Sequence, residues 1–348
     1  MDYNSLNAKI SAMRGRLFKP DDYEGLCSLR TVREFADRLR LYPGYRTVMK
    51  MHENVEPHRG VIEQSIIMAL SEDYSRIYSF VRERGLKKYL DGYFLKLETG
   101  VIKLLLCMAY DEREIVYSLP ELNKLVGRKF KIDMEKLKTA ATVRELVDQL
   151  KGTPFHNLLY GRNEWSLFDM EMQLDLHYYM HLWGLTKKYL YGADKKIMRD
   201  VTGTEIDLRN IMWIHRLKKS YRMENTKIYS YLIPIRYKLT AGKITRMADA
   251  GDVSALEREI ADSPYGGVFE GRGSVEDAFY NRMAGAYSAA RHMNPLTVAE
   301  TADYVFRKES EINNLTSIME GVRYGLGPAE IMKYVRYHNQ SDVAGAVG

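Results

Sequence analysis

The chain has 348 residues, 45% of them apolar and 28% charged, the balance of a soluble globular protein with room for two or three domains and a sizeable core. Its 52 basic residues are offset by 46 acidic ones, so the net charge of +6 is mild, whereas a nucleic-acid binder more often concentrates its basic residues into a block. The two cysteines, Cys27 and Cys107, exclude a disulfide framework and a cysteine metal site, and they suit a reducing cytoplasm.

The start, Met1-Asp2-Tyr3-Asn4, lacks the basic-then-apolar run of a signal peptide, and none is expected. Leu6, Ile10, Met13 and Leu17 form a helical stripe. Thr31-Val32-Arg33-Glu34-Phe35 then opens a short helix: the Thr31 hydroxyl can accept an unpaired first-turn amide, and Glu34 can close a capping box. Pro43 stops that helix, and Tyr45 follows. Further on come Glu63, with Tyr74 behind it, the stripe residues Ile77, Phe80 and Val81, and Glu98 leading a helix that carries Ile102 and Leu105. The apolar run Leu104–Ala109 is far too short to span a bilayer, which takes about 20 residues.

The pattern then recurs. Thr142-Val143-Arg144-Glu145-Leu146 copies the capped start, with Pro154 and Phe155 in the places of Pro43 and Tyr45. Asp252 starts a third copy, with Leu256, Ile260, Pro264 and Tyr265, although Ala255 cannot close its box. Asp169 and Asp277 repeat Glu63, followed by Tyr179 and Tyr287; Asp207 and Glu311 repeat Glu98, and Asn210 agrees with Asn314 where the first copy has Val101. Three landmarks in one order at a period of about 110 residues read as a triplicated helical unit, with divisions at 1–115, 116–223 and 224–348. The carboxylates Glu63, Asp169 and Asp277 suit a repeated structural contact better than one active site.

Between the landmarks, His177 and His181 lie four apart on one helix face near Glu171 and Asp175. Two readings stand: a metal-dependent helical enzyme, or an aromatic-rich packed helix. No Glu-x-x-His pair accompanies them, so neither metal nor cofactor is expected, and no catalytic residue is singled out. Arg216, Lys218, Lys219 and Arg222 form the densest basic tract, read as a solvated helix face; binding of an anionic polymer is the third reading, and it would show steep salt dependence. Tyr229–Leu239 is rich in strand formers, but Pro234 makes it a helix end and loop. Gly266 to Ser274 has the glycine spacing of a phosphate loop without its Lys-Ser/Thr, and reads as a plain loop. Pro328 opens a last helix after Gly325 and Gly327.

The stretch from Arg307 to Ile331, with Glu311, an Asn314-Leu315 pair and a closing Glu330-Ile331, resembles the ending of the V-type ATPase d subunit family, whose archaeal and bacterial members are the C subunits of V/A-type enzymes. Glu205–Ile211 resembles its second-repeat version, and Asn7–Leu17 its first helix. The resemblance implies an all-α fold, three similar domains forming a funnel around a pseudo-threefold axis. It implies a non-catalytic central-stalk role on the cytoplasmic face of the membrane, docked on the proteolipid ring (the c/K proteolipids). Shaft subunits D and F would plug into the funnel, with the a/I stator protein as a further neighbour. No nucleic acid and no membrane span are implied. Arg209, Asn210, Asn314 and Arg323 are the polar residues expected to face the axis or an interface.

Overall fold

The computed structural model describes residues 3–52, 56–111, 137, 139–162, 166–268 and 274–337, and among these there is no strand. The helices run, in chain order, α1 (Asn4–Arg14), α2 (Pro20–Cys27), α3 (Val32–Leu41), α4 (Arg46–Lys50), α5 (Arg59–Phe80), α6 (Arg84–Tyr93) and α7 (Leu95–Tyr110). After them come α8 (Val143–Gln149), α9 (Pro154–Leu159), α10 (Leu167–Tyr189), α11 (Gly192–Lys219) and α12 (Asn225–Ile228). The last are α13 (Ala241–Asp249), α14 (Val253–Ala261), α15 (Val275–Met293), α16 (Ala299–Arg323) and α17 (Pro328–Ile331). The protein is all-α.

The helix starts follow the sequence chemistry. Thr31, Thr142 and Asp252 each accept the backbone N–H three residues on, at 3.1, 3.2 and 2.7 Å. The capping boxes close differently from the expectation. Glu34 accepts from the Arg30 N–H and Glu145 from the Ala141 N–H, one residue ahead of each cap, because the longer glutamate reaches past it. Ser166 with Asp169, and Ser274 with Asp277, form complete boxes at the starts of α10 and α15. Glu63 instead lies inside α5 and pairs with Arg59 at 2.9 Å.

Some local expectations hold and others need correction. The short helices end before their prolines, at Leu41, Gln149 and Ala261, and Pro154 opens α9, where its fixed φ and missing N–H cost nothing. Leu17 lies beyond the end of α1. Phe80 is 40% exposed, whereas Ile77 is fully buried. Asp207 and Glu311 do not lead their helices: α11 and α16 begin well upstream, so both carboxylates lie deep inside them. Tyr229–Leu239 is a short 3₁₀ turn followed by loop, as its proline requires. The glycine stretch starts as a 3₁₀ turn at Gly266–Val268, and its residues 269–273 lie outside the described residues.

The chain gathers into two compact units, each built from separated segments. Unit one takes residues 1–82, 104–163 and 300–340. Its core includes Ile10, Leu26, Phe35, Leu39, Ile62, Ile66, Leu315 and Ile318. Here α16 ends in a Schellman turn: Gly325, at φ +70°, donates to the Val322 carbonyl and Leu326 to the Gly321 carbonyl. Unit two takes residues 83–103, 164–299 and 341–348. Its long helix α11 is buried over most of its surface, from Ile197 and Met198 to Ile214 and Leu217, with Glu205, Arg209, Met212 and Arg216 along its more open face. Gly203 on that helix is required: an added Cβ would stand 2.5 Å from the Tyr237 ring.

Candidate functional site

Two buried carboxylates, one in each unit, organise the surrounding chain in the same way. In unit two, Asp207 of α11 has no exposed surface. It accepts the backbone N–H groups of Tyr237, Lys238 and Leu239 at 3.2, 2.6 and 3.0 Å, and the Tyr265 hydroxyl at 2.9 Å. Burial pushes its carboxyl above the usual carboxylate range, against the pull of these four donors. Burial and the adjacent carboxylate push the Tyr265 phenol well up.

In unit one, Glu311 of α16 holds the equivalent place. It accepts the Phe18 N–H at 2.7 Å, the Tyr45 hydroxyl at 2.6 Å and the Lys308 ammonium at 2.6 Å. Lys308 also donates to the Tyr45 hydroxyl and caps its ring face, with Nζ 4.1 Å from the centroid. Phe18 and Leu239 hold the same position in their repeats, as do Tyr45 and Tyr265. The hydroxyl-free Phe155 takes that position in the second repeat, so its copy cannot make the bond.

Asn210 and Asn314 act one turn further along. The amide of Asn210 brackets the backbone of Ile233, donating at 3.1 Å and accepting at 2.9 Å. Asn314 brackets Arg336 in the same fashion, at 2.7 and 2.8 Å. Each clamped segment is a single α turn running into a 3₁₀ turn, α12 with Tyr229–Tyr231 and α17 with Met332–Tyr334. Both asparagine side chains are thus taken up by the chain's own backbone.

The other two expected site residues sit differently. Arg209 is partly exposed; its guanidinium lies 4.5 Å from the Phe279 ring centroid and 5.7 Å from that of Tyr179, with Glu205 at 3.5 Å. Burial opposes its charge, but Tyr179 and Glu205 raise its pKa further. Arg323, at the end of α16, pairs with Glu320 at 2.8 Å and stacks on the exposed Tyr324.

Sequence reasoning missed the partners of the tyrosine landmark. Tyr74 donates to Glu309 and Tyr179 to Glu205, both at 2.9 Å, and Tyr287 reaches Glu205 at 3.4 Å. Glu205 and Glu309 each stand two residues ahead of the third-landmark carboxylate, a signal present when the repeats are set side by side. Lys308 gave no signal, because Thr204 holds its place in the second copy.

His177 and His181 stack at 5.9 Å, and Asp175 is drawn to Lys103 at 2.6 Å. Among the described residues no group of three or more His, Cys, Asp or Glu side chains could hold a metal ion. A groove of about 1020 Å³ in unit two opens between His215 and Arg216 of α11, Tyr265, and Glu276 and Arg282 of α15. The donors of the buried Asp207 and Glu311 all come from the chain itself, which suits a structural tie. No described helix is long and apolar enough to cross a membrane.

The fold and its saturated carboxylate seats define an all-helical protein whose most buried carboxylates tie its own segments together. Residues 6–334 match one family, and the chain belongs to it: the ATP synthase (C/AC39) subunit family. It is 24% identical over 350 residues to the A-type ATP synthase C subunit of Methanosphaera stadtmanae, covering 95% of this chain and 86% of that one. For the C subunit of Thermococcus gammatolerans the identity is 23% over 351 residues, covering 96% and 89%. For that of Methanosarcina barkeri it is 27% over 197 residues; there the match spans about half of each chain, 56% and 54%. The chain is a non-catalytic subunit of a rotary ATPase complex.

Proposed function

We propose that this protein belongs to the central stalk, seating the shaft subunits D and F on the proteolipid ring and passing torque between them during proton or sodium transport. Membership of the family over nearly the whole chain is the observation that carries this reading. A torque coupler needs stiffness and no reactive group, and close-packed helices supply it. The bonds from Tyr45 to Glu311 and from Tyr265 to Asp207 add ties between segments far apart in sequence.

We further propose three repeats of about 110 residues, divided near 115 and 223, that close around a shared axis as a funnel. The first repeat's Phe18 and Tyr45 meet the third repeat's Glu311, and the third repeat's Leu239 and Tyr265 meet the second repeat's Asp207. Repeats therefore lend segments to one another, which favours a closed arrangement. The C-terminal turn at Arg336 is followed in space by the N-terminal residue Phe18, as Ile233 is followed in sequence by Leu239.

In this reading the protein docks on the cytoplasmic face through the ring, with the a/I stator protein as neighbour. Arg323 and Arg209, with part of their surface open, face a partner, while Asn210 and Asn314 hold the segments beside them. The test is assembly from purified parts. The chain should bind a D–F shaft and a detergent-solubilised ring, and should hydrolyse no ATP alone. Binding to neither would overturn the reading.

A further inference from the structure

One end of unit two carries a surface that the seats and the proposed shaft socket leave unexplained. Three chain segments meet there. The α10–α11 turn is tight, made by Leu190 and Tyr191 with Gly192 at φ +54°. The turn after α15 is tied to it by Asp194, whose carboxylate accepts the Val298 N–H at 2.8 Å. The start of α6 lies against the same end, since a Cβ on Gly85 would stand 3.0 Å from the Tyr189 carbonyl.

The two turns expose large apolar side chains: Tyr191 is 72% exposed, Met293 73% and Leu296 60%. Cations flank them in the sequence. Between 187 and 199 the chain carries Lys187, Lys188, Lys195, Lys196 and Arg199, and Arg291 precedes Met293. The only carboxylate in 187–199 or 288–298 is Asp194, which is buried and occupied by the Val298 N–H, while the bordering Asp200 accepts the Tyr237 hydroxyl and Glu83 at the start of α6 accepts the Gly85 and Leu86 N–H groups. Lys187, Lys188 and Lys196 are exposed and form no ion pair among the described residues. Lys187 and Lys188 lie over the Trp183 and Tyr189 rings at 5.3 and 5.2 Å.

Isolated exposed apolar residues need no explanation, but apolar tips on adjacent turns beside exposed lysines that form no ion pair do. Lysine stems lie along apolar surface while their ammonium groups reach outward, and aromatic rings settle at the headgroup level of a bilayer. A nucleic acid would use the cations and leave Met293 and Leu296 without a role. We infer that this end of unit two touches the membrane surface directly, its lysines binding anionic phospholipid headgroups and its apolar tips entering the interfacial layer. This rests on the reading of a membrane-seated protein and deepens it by naming lipid as a contact beside the ring.

Vesicle sedimentation of the full chain tests this without ring or shaft present. The chain should partition onto phosphatidylcholine–phosphatidylglycerol vesicles at low salt, bind little to phosphatidylcholine alone, and release as salt rises. Each lysine near an anionic surface contributes about 1 kcal/mol, or roughly fivefold in partition. Lys187→Gln/Lys188→Gln/Lys196→Gln should therefore cut binding by about a hundredfold at low salt. Met293→Ser/Leu296→Ser should weaken it several-fold even at high salt. Lys50→Gln/Lys151→Gln/Lys333→Gln, with the same loss of charge at exposed sites of unit one, should retain most of it. All six lysines are exposed, so thermal melts should be unchanged. No binding by the wild type, equal binding by the first triple variant, or equal losses in both triple variants would overturn the inference. D–F binding by the same variants, measured separately, reports on the stalk reading: it should persist whatever the vesicles show.

Discussion

Asp207 in unit two and Glu311 in unit one do the same job by different chemistry. Asp207 is held by neutral donors only, three backbone N–H groups and a phenol, with Thr204 where unit one has Lys308. Glu311 has one backbone N–H and a phenol, and makes up the deficit with a buried ammonium. The difference follows the chain. Leu239 lies 32 residues from Asp207, but Phe18 lies 293 residues from Glu311. Closing a loop about nine times longer costs about 2 kcal/mol more. A charge-assisted bond, about twice as strong as a neutral one, offsets a cost of that size. The long-range closure thus uses charge and the local closure uses backbone.

Removing the charge from unit one should give the largest effect. Lys308 and Glu311 have side chains only 3% and 2% exposed, and Asp73 stands 4.0 Å from the ammonium. Lys308→Met leaves Glu311 without its buried counter-charge, and should destabilise the protein by about 3–5 kcal/mol in denaturant unfolding. Adding Glu311→Gln should restore a good part of that loss. A double variant as unstable as the single one would show that Lys308 acts by packing and not by charge.

Much of the fold is legible in the sequence. The caps at Thr31, Thr142 and Asp252 are local chemistry, readable from the residues themselves. The positions of Asp207 and Glu311 are legible from the repeat, but their roles are not. A carboxylate's role depends on what packs against it, and Phe18 and Tyr45 arrive from the other end of the chain. Asn210 and Asn314 stand out by their recurrence and turn out to clamp backbone. The recurrence is the signal, and which group they bind is not written near them. Lys308 is invisible because only one repeat needs it.

The neutral seat should respond less. Asp207→Asn keeps the shape but supplies one acceptor oxygen where two served four donors. It should cost about 1–3 kcal/mol, with the loss centred on residues 229–239 in hydrogen exchange. Its pH dependence has a definite sign. The folded-state pKa of Asp207 is raised, so between the ordinary carboxylate value of 3.8 and that raised value the folded chain holds the extra proton. In that window Asp207 lowers stability as pH rises, and the Asn variant should lose this component.

The paired tyrosines give a finer comparison. Tyr45→Phe removes a donor to Glu311 and an acceptor for Lys308, and should cost about 2 kcal/mol. Tyr265→Phe leaves Asp207 its three backbone donors and should cost about 1 kcal/mol. Equal costs would mean that the hydroxyl matters in the same way in both seats, and that the charge in unit one is not coupled to it.

The smallest effect concerns His215 in the groove of unit two, where unit one has no counterpart histidine on α16. Its pKa is lowered, first by burial and then by Lys219 on its own helix, against the opposing pull of Glu257 and Glu276 on the facing helices. As pH falls through the ordinary imidazole value of 6.5, the unfolded chain takes up a proton that the folded chain refuses. Stability is therefore fully present above that pH and declines as pH drops toward the folded-state value. His215→Phe should remove this decline. Unfolding midpoints between neutral and mildly acidic pH would read it directly. The same slope in wild type and variant would assign the acid sensitivity to other groups.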